Sequence, residues 1–226
     1  MNVEAHLRQQ HARALLDAVH PLRCGDLPEP LLQRARHSAL GRRHLARAAV
    51  RNAPEVFAPD HERWQPWLDD EPWLQWPQAR VHTFTQMLGA IALGPALRMI
   101  VERNTVLFVR GVLGVDNWRR AQGMNPWPGA APDVIRQMGD AVLQRCGRDT
   151  QALSDAVYER GKIEFLGHAE RRHASLAARL ALAYAQAPTR AKGECWLPAA
   201  AVPALLVEQQ TLDAEASLAI AEGTLQ

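Results

Sequence analysis

Lysine is almost missing from this 226-residue chain: of 26 basic residues only Lys162 and Lys192 are lysines, and the rest are arginines. Cysteine is scarce too. Cys24, Cys146 and Cys195 are odd in number, far apart and form no CxxC, which argues against a disulfide framework and fits a reducing compartment. No run of about 18 apolar residues occurs, so no membrane-spanning helix is expected. The opening MNVEAHLRQQHARALL has no apolar core before a small-residue cleavage site, so a secretory leader is not expected. Strand signals are few and hairpin turns absent, which points away from a β fold.

What is present suits a folded domain or a tight pair. Hydrophobic residues make up 47% and charged residues 22%, enough apolar material to offset the ordering entropy. The formal charge of +2 conceals alternation. Residues 1–51 carry nine basic and four acidic groups, and 52–78 carry one and six. Residues 79–192 carry sixteen and nine, and 193–226 none and five. Such blocks suit docking on oppositely charged surfaces. They equally suit an arginine-biased composition whose solvated faces balance overall.

Apolar periodicity predicts helices along most of the chain. One is expected over 3–20, ended by Pro21. A second runs from about Pro30 to Asn52, with Leu32, Ala35, Ala39, Ala46 and Val50 inward and Arg34, Arg42, Arg43, Arg47 and Arg51 outward. Gly41 should weaken its middle by roughly 1 kcal/mol. Residues 53–77 differ: five prolines preclude one long helix, and Trp64, Trp67, Trp73 and Trp76 are four of the seven tryptophans. Residues 78–103 predict a core helix (Phe84, Met87, Leu88, Ile91, Leu97, Ile100, Val101), broken or kinked at Gly94-Pro95. Thr105–Leu113 reads as a buried helix rather than a strand. Asp116 could cap a short helix closed by Gly123, ahead of the loop Asn125–Gly129 (NPWPG). Pro132 opens a helix to Cys146, and Asp149 begins the next, with interruptions expected at Gly161 and Gly167. The chain then loosens from Pro188 to Pro203, before a marginal acidic helix. The expected fold is therefore mostly α: a compact helical domain over 1–190 with the Trp/Pro-rich segment inserted, then a loosely packed acidic extension over 191–226.

The patterns that would carry chemistry fail one by one. Gly161-Lys162 lacks the glycine five residues earlier (Ala156 stands there), and Ile163 replaces the metal-binding hydroxyl of a phosphate loop. In His168-Ala-Glu-Arg-Arg-His173 the histidines are five apart, which on a helix turns them roughly 140° from each other, so a zinc pair is not expected. Cys146 reads as a small core residue, no nucleophile elbow surrounds Cys195, and Asp69, Asp70 and Glu71 read as solvated carboxylates. No catalytic, metal-binding or cofactor-binding residue is expected, and no cofactor. Two binding surfaces remain. The tryptophans of 64–76 either cover the core or form exposed anchors, the residue type that leads interface energetics. The arginine face of 30–52 is solvated, internally paired or, alternatively, a nucleic-acid face.

The run from Phe84 to Val101 resembles the central segment of the K-type (SctK/YscK-like) proteins of bacterial type III secretion, including their Hrp-type branch. The resemblance rests on Leu88-Gly89, on Ala96-Leu97-Arg98, on the apolar run Val106–Leu113 and on Pro126-Trp127-Pro128, in that order over residues 84–128. It implies a non-enzymatic adaptor at the cytoplasmic face of the bacterial inner membrane. Its partners would be an SctD-like inner-membrane ring protein and an SctQ-like pod protein of the sorting platform. No nucleic acid and no membrane insertion are expected under this reading. Trp64, Trp67, Trp73, Trp76, Trp127, Arg42, Arg43 and Arg47 are the expected contact residues. Arg98 is expected to satisfy an ion pair or backbone carbonyls instead.

Overall fold

The computed structural model describes residues 19–23, 27–52, 70–185 and 194–223. These are mostly helical, with no strand among them. The helix expected over 3–20 falls outside them except at its end, as do Cys24, Trp64, Trp67 and Asp69. The chain divides into two compact units, one drawn from 1–84 and 169–193, the other from 85–168 and 194–226.

In the first unit, helices α1 (Glu29–His37) and α2 (Ala39–Asn52) replace the single helix expected over 30–52. Ser38 breaks it, with extended backbone angles of φ −103° and ψ 146°. Its hydroxyl then accepts from Gly41 N at 2.9 Å and its carbonyl from Arg42 N at 3.0 Å, so Ser38 caps α2. A Cβ on Gly41 would stand 2.3 Å from Ala35 Cα. The glycine expected to weaken a helix is what lets two helices meet. Leu32 and Leu45 are fully buried with Val19 and Leu182, and Leu27, Ala35 and Ala178 pack around them. His20 N donates to Leu182 O at 2.7 Å, tying residues distant in sequence.

The second unit is built on helix α3 (Gln78–Leu97), whose first turns belong to the first unit. Every residue from Met87 to Leu97 is buried, as suits a helix enclosed on all sides. The helix runs through Gly94-Pro95 and ends at Leu97, so Ile100 and Val101 lie beyond it, and Val101 is exposed. Around it stand α4 (Arg103–Leu113), α5 (Val115–Gly123), α6 (Asp133–Cys146) and α7 (Thr150–Arg172). Small residues set the approach distances. A Cβ on Gly89 would stand 1.9 Å from Val157 O, and one on Gly161 would stand 1.8 Å from Thr85 O. No side chain fits at either, so α3 and α7 touch backbone to backbone. On α6, a Cβ at Gly139 would meet that of Ala96 at 2.7 Å. Ala90, Leu93, Leu97, Val109, Leu113, Leu153 and Val157 fill the core between these helices.

Helix α7 is uninterrupted at Gly161 and Gly167 and stops at Arg172. Asp149 caps it, accepting from Gln151 N and Ala152 N at 2.9 and 3.0 Å. Helix α8 (Ala174–Ala181) follows, and the cap between the two is exposed His173, whose Nδ1 accepts from Ser175 N at 3.2 Å. The HAERRH stretch therefore straddles a helix end. His168 is buried on one side of the break, and His173 is not on a continuous apolar stripe. Helix α9 (Ala201–Gly223) starts two residues before Pro203, where looser chain is expected. Proline is tolerated there because a first-turn N–H has no partner within the helix anyway. Val202, Leu205 and Leu206 are buried, and Arg120 pairs with Glu208 at 2.7 Å.

Charge also lies inside this unit. Glu164, fully buried, accepts from Trp196 N at 2.7 Å and Leu197 N at 3.2 Å, and it pairs with Arg160 at 3.0 Å. Arg160 in turn donates to Glu194 O at 3.2 Å, and its guanidinium stacks 4.5 Å from the centre of the Trp196 ring. One carboxylate on α7 thus fastens the irregular segment that precedes α9.

Candidate interaction surface

Residues 27–52 contain six arginines and two histidines against one carboxylate, Glu29. The fold sorts those cations into two sets. Arg36 reaches back to Val19 O at 3.1 Å, and Arg42 donates to Arg36 O at 3.2 Å, so both serve backbone carbonyls of their own unit. Arg34, Arg43, Arg47 and Arg51 are exposed, and among the described residues no ion pair or side-chain hydrogen bond engages them. Arg42 is therefore set apart from Arg43 and Arg47, with which the sequence groups it.

An open groove runs between α1 and α2, and its lining includes Arg34, Arg43, His44 and Arg47. Leu31 and Leu40 stand in the same groove, 48% and 79% exposed. Ser38 and Gly41 form part of its floor, so the break that divides the two helices also shapes the hollow. Sequence reasoning passed over Leu31, Leu40 and Arg34 as contact residues. Of the leucines in this stretch the apolar period places Leu32 inward and leaves Leu31 and Leu40 out, and an exposed leucine carries no signal of its own until its neighbours are placed.

The tryptophans behave otherwise. Trp73 and Trp76, on and after the 3-10 turn Pro72–Gln75, are 2% and 5% exposed. Trp73 Nε1 donates to Glu71 Oε2 at 2.6 Å, and Glu71 accepts through its other oxygen from Arg172 Nε at 2.7 Å. The Trp76 ring meets Phe84 edge-on at 5.3 Å and lies 4.1 Å beneath the Arg80 guanidinium. Buried Arg179, its pKa lowered by burial, donates to Leu74 O. Of the open alternatives, the buried one describes Trp73 and Trp76: they hold the first unit together and present no anchor at its surface. Glu71, read from sequence as solvated, is a buried acceptor shared by Trp73 and Arg172. Trp127 is buried as well, in a loop closed by Asn125 Nδ2 donating to Gly129 O and by Gly129 at φ 118°. Its neighbours Pro128 and Gly129 are exposed.

Arg98 holds two carbonyls at the end of α5, Ala121 O at 2.8 Å and Met124 O at 3.1 Å, the structural task expected of it. Cys146 is buried, and burial pushes its thiol above the usual range. Among the described residues no three His, Cys, Asp or Glu side chains are grouped as metal ligands. No helix there is long and apolar enough to cross a membrane. In comparisons with protein-family models, curated proteins and solved structures, no match to this chain was found.

Proposed function

We propose that this chain is a non-enzymatic adaptor of the K-type, linking the cytoplasmic domain of an SctD-like inner-membrane ring protein to an SctQ-like pod protein of a type III secretion sorting platform. The observation that carries the reading is the resemblance over residues 84–128, together with what those residues do in the fold. Leu88, Ala96, Leu97, Val109, Leu113 and Trp127 are buried, Gly89 sits where α3 meets α7, and Arg98 fastens the end of α5. A motif made of packing residues is compatible with a scaffold whose outer faces choose the partners. A hairpin with four exposed arginines supplies one such face, and charge complementarity would there set specificity and encounter rate.

Copurification tests this directly. The tagged full chain, expressed in cells assembling a type III apparatus, should recover the ring protein, the pod protein or both. Recovery of neither, with tight binding to duplex DNA that weakens steeply with salt, would overturn it. Nucleic-acid binding is the second reading, and the observation favouring it is the set Arg34, Arg43, Arg47 and Arg51 exposed together.

A further inference from the structure

The groove between α1 and α2 combines exposed cations with exposed leucines. Its cations, Arg34, Arg43 and Arg47, project from both helices with no carboxylate among the described lining residues. Its apolar members, Leu31 and Leu40, sit on opposite sides of the Ser38 break. A nucleic-acid backbone answers the arginines and leaves the leucines against water and phosphate. A neutral amphipathic helix answers the leucines and leaves the arginines without partners. A segment with leucine-like side chains on one face and carboxylates on its flanks answers both.

We propose that this groove is a docking site for an acidic amphipathic helix of a partner protein, its apolar face on Leu31 and Leu40 and its carboxylates against Arg34, Arg43 and Arg47. Guanidinium and carboxylate pair through two parallel hydrogen bonds, so arginine is well suited to fix the orientation of such a helix as well as to attract it. Helix-in-groove recognition of this kind is read through apolar anchors spaced three and four residues apart. The inference concerns the groove alone and stands apart from the type III reading: the partner's chemistry is specified here, not its machine.

The test uses the full chain and a fluorescein-labelled peptide roughly four helical turns long, with leucines at three- and four-residue spacing and glutamates elsewhere. Anisotropy should report binding, and peptides with glutamine for glutamate or serine for leucine should each bind at least about tenfold more weakly. The triple variant Arg34→Glu, Arg43→Glu, Arg47→Glu should lose at least about tenfold in affinity. Leu40→Ser, at a position too exposed to matter for folding, should lose severalfold while the circular dichroism melt stays unchanged. Equal binding of the glutamine peptide, no effect of Leu40→Ser, or tighter binding of a duplex oligonucleotide would overturn the proposal. So would a photo-crosslinker placed at residue 40 that reacts only with another part of the same chain.

Discussion

In the second unit the buried charges of Arg160 and Glu164 answer each other: Arg160 lies against Glu164 and the Trp196 ring, and Glu164 takes two backbone amides besides. In the α1–α2 hairpin of the first unit, Arg34, Arg43 and Arg47 are exposed and have no such answer among the described residues. The same residue type therefore does two jobs. Burying a guanidinium demands a partner, because an isolated desolvated charge is too costly to persist. An exposed one is held by water and demands nothing from the fold, so its arrangement is free to serve another molecule. The difference teaches where substitutions should hurt stability and where they should hurt only binding.

The sharpest way to break that contrast is Glu164→Ala. It leaves buried Arg160 uncompensated and frees the amides of Trp196 and Leu197, so about 3–5 kcal/mol should be lost in urea unfolding. An unchanged midpoint would mean that the buried set is not matched after all. Next comes Gly161→Ala, which places a methyl against Thr85 O and should cost about 1–3 kcal/mol by forcing α3 and α7 apart. A melting temperature within error of the parent would contradict the backbone contact. Ser38→Ala removes the cap of α2 and should cost about 1 kcal/mol, with the loss confined to the first unit in hydrogen-exchange maps. Arg43→Glu combined with Arg47→Glu should change stability by no more than about 0.5 kcal/mol. A larger loss would show that the hairpin's arginines are structural and would erase the contrast.

Much of the fold was legible because periodicity and capping chemistry are local. The helices beginning after Pro132 and at Asp149, and the core run from Phe84 to Leu97, follow from apolar spacing and a cap or a proline. The break at Ser38 was legible in principle, since serine is a favoured N-cap residue. It is masked because Gly41, taken alone, signals only a poor helix former. The break at His173 was not legible, because imidazole is an uncommon cap and the apolar residues on either side mimic one continuous stripe. Gly89 and Gly161 look like helix weakeners in isolation. Their purpose is a close approach between residues some 70 positions apart in the numbering, which no window of sequence contains. The groove was half legible: Arg43 and Arg47 were named from charge alone, while Leu31 and Leu40 became meaningful only once α1 and α2 were placed. As for the tryptophans, no local pattern distinguishes a buried indole from an exposed one. That depends on Glu71 and on residues a hundred positions later, Arg172 among them.

Glu164 has one more consequence, and it concerns time rather than energy. Residues 194–200 have no regular hydrogen-bonded ladder, and segments of that kind ordinarily trade their amide protons with water quickly. The amides of Trp196 and Leu197 are clamped by a carboxylate that is itself sealed from solvent. They should therefore exchange on the clock of α7, which they touch, and not on that of the loop to which they belong.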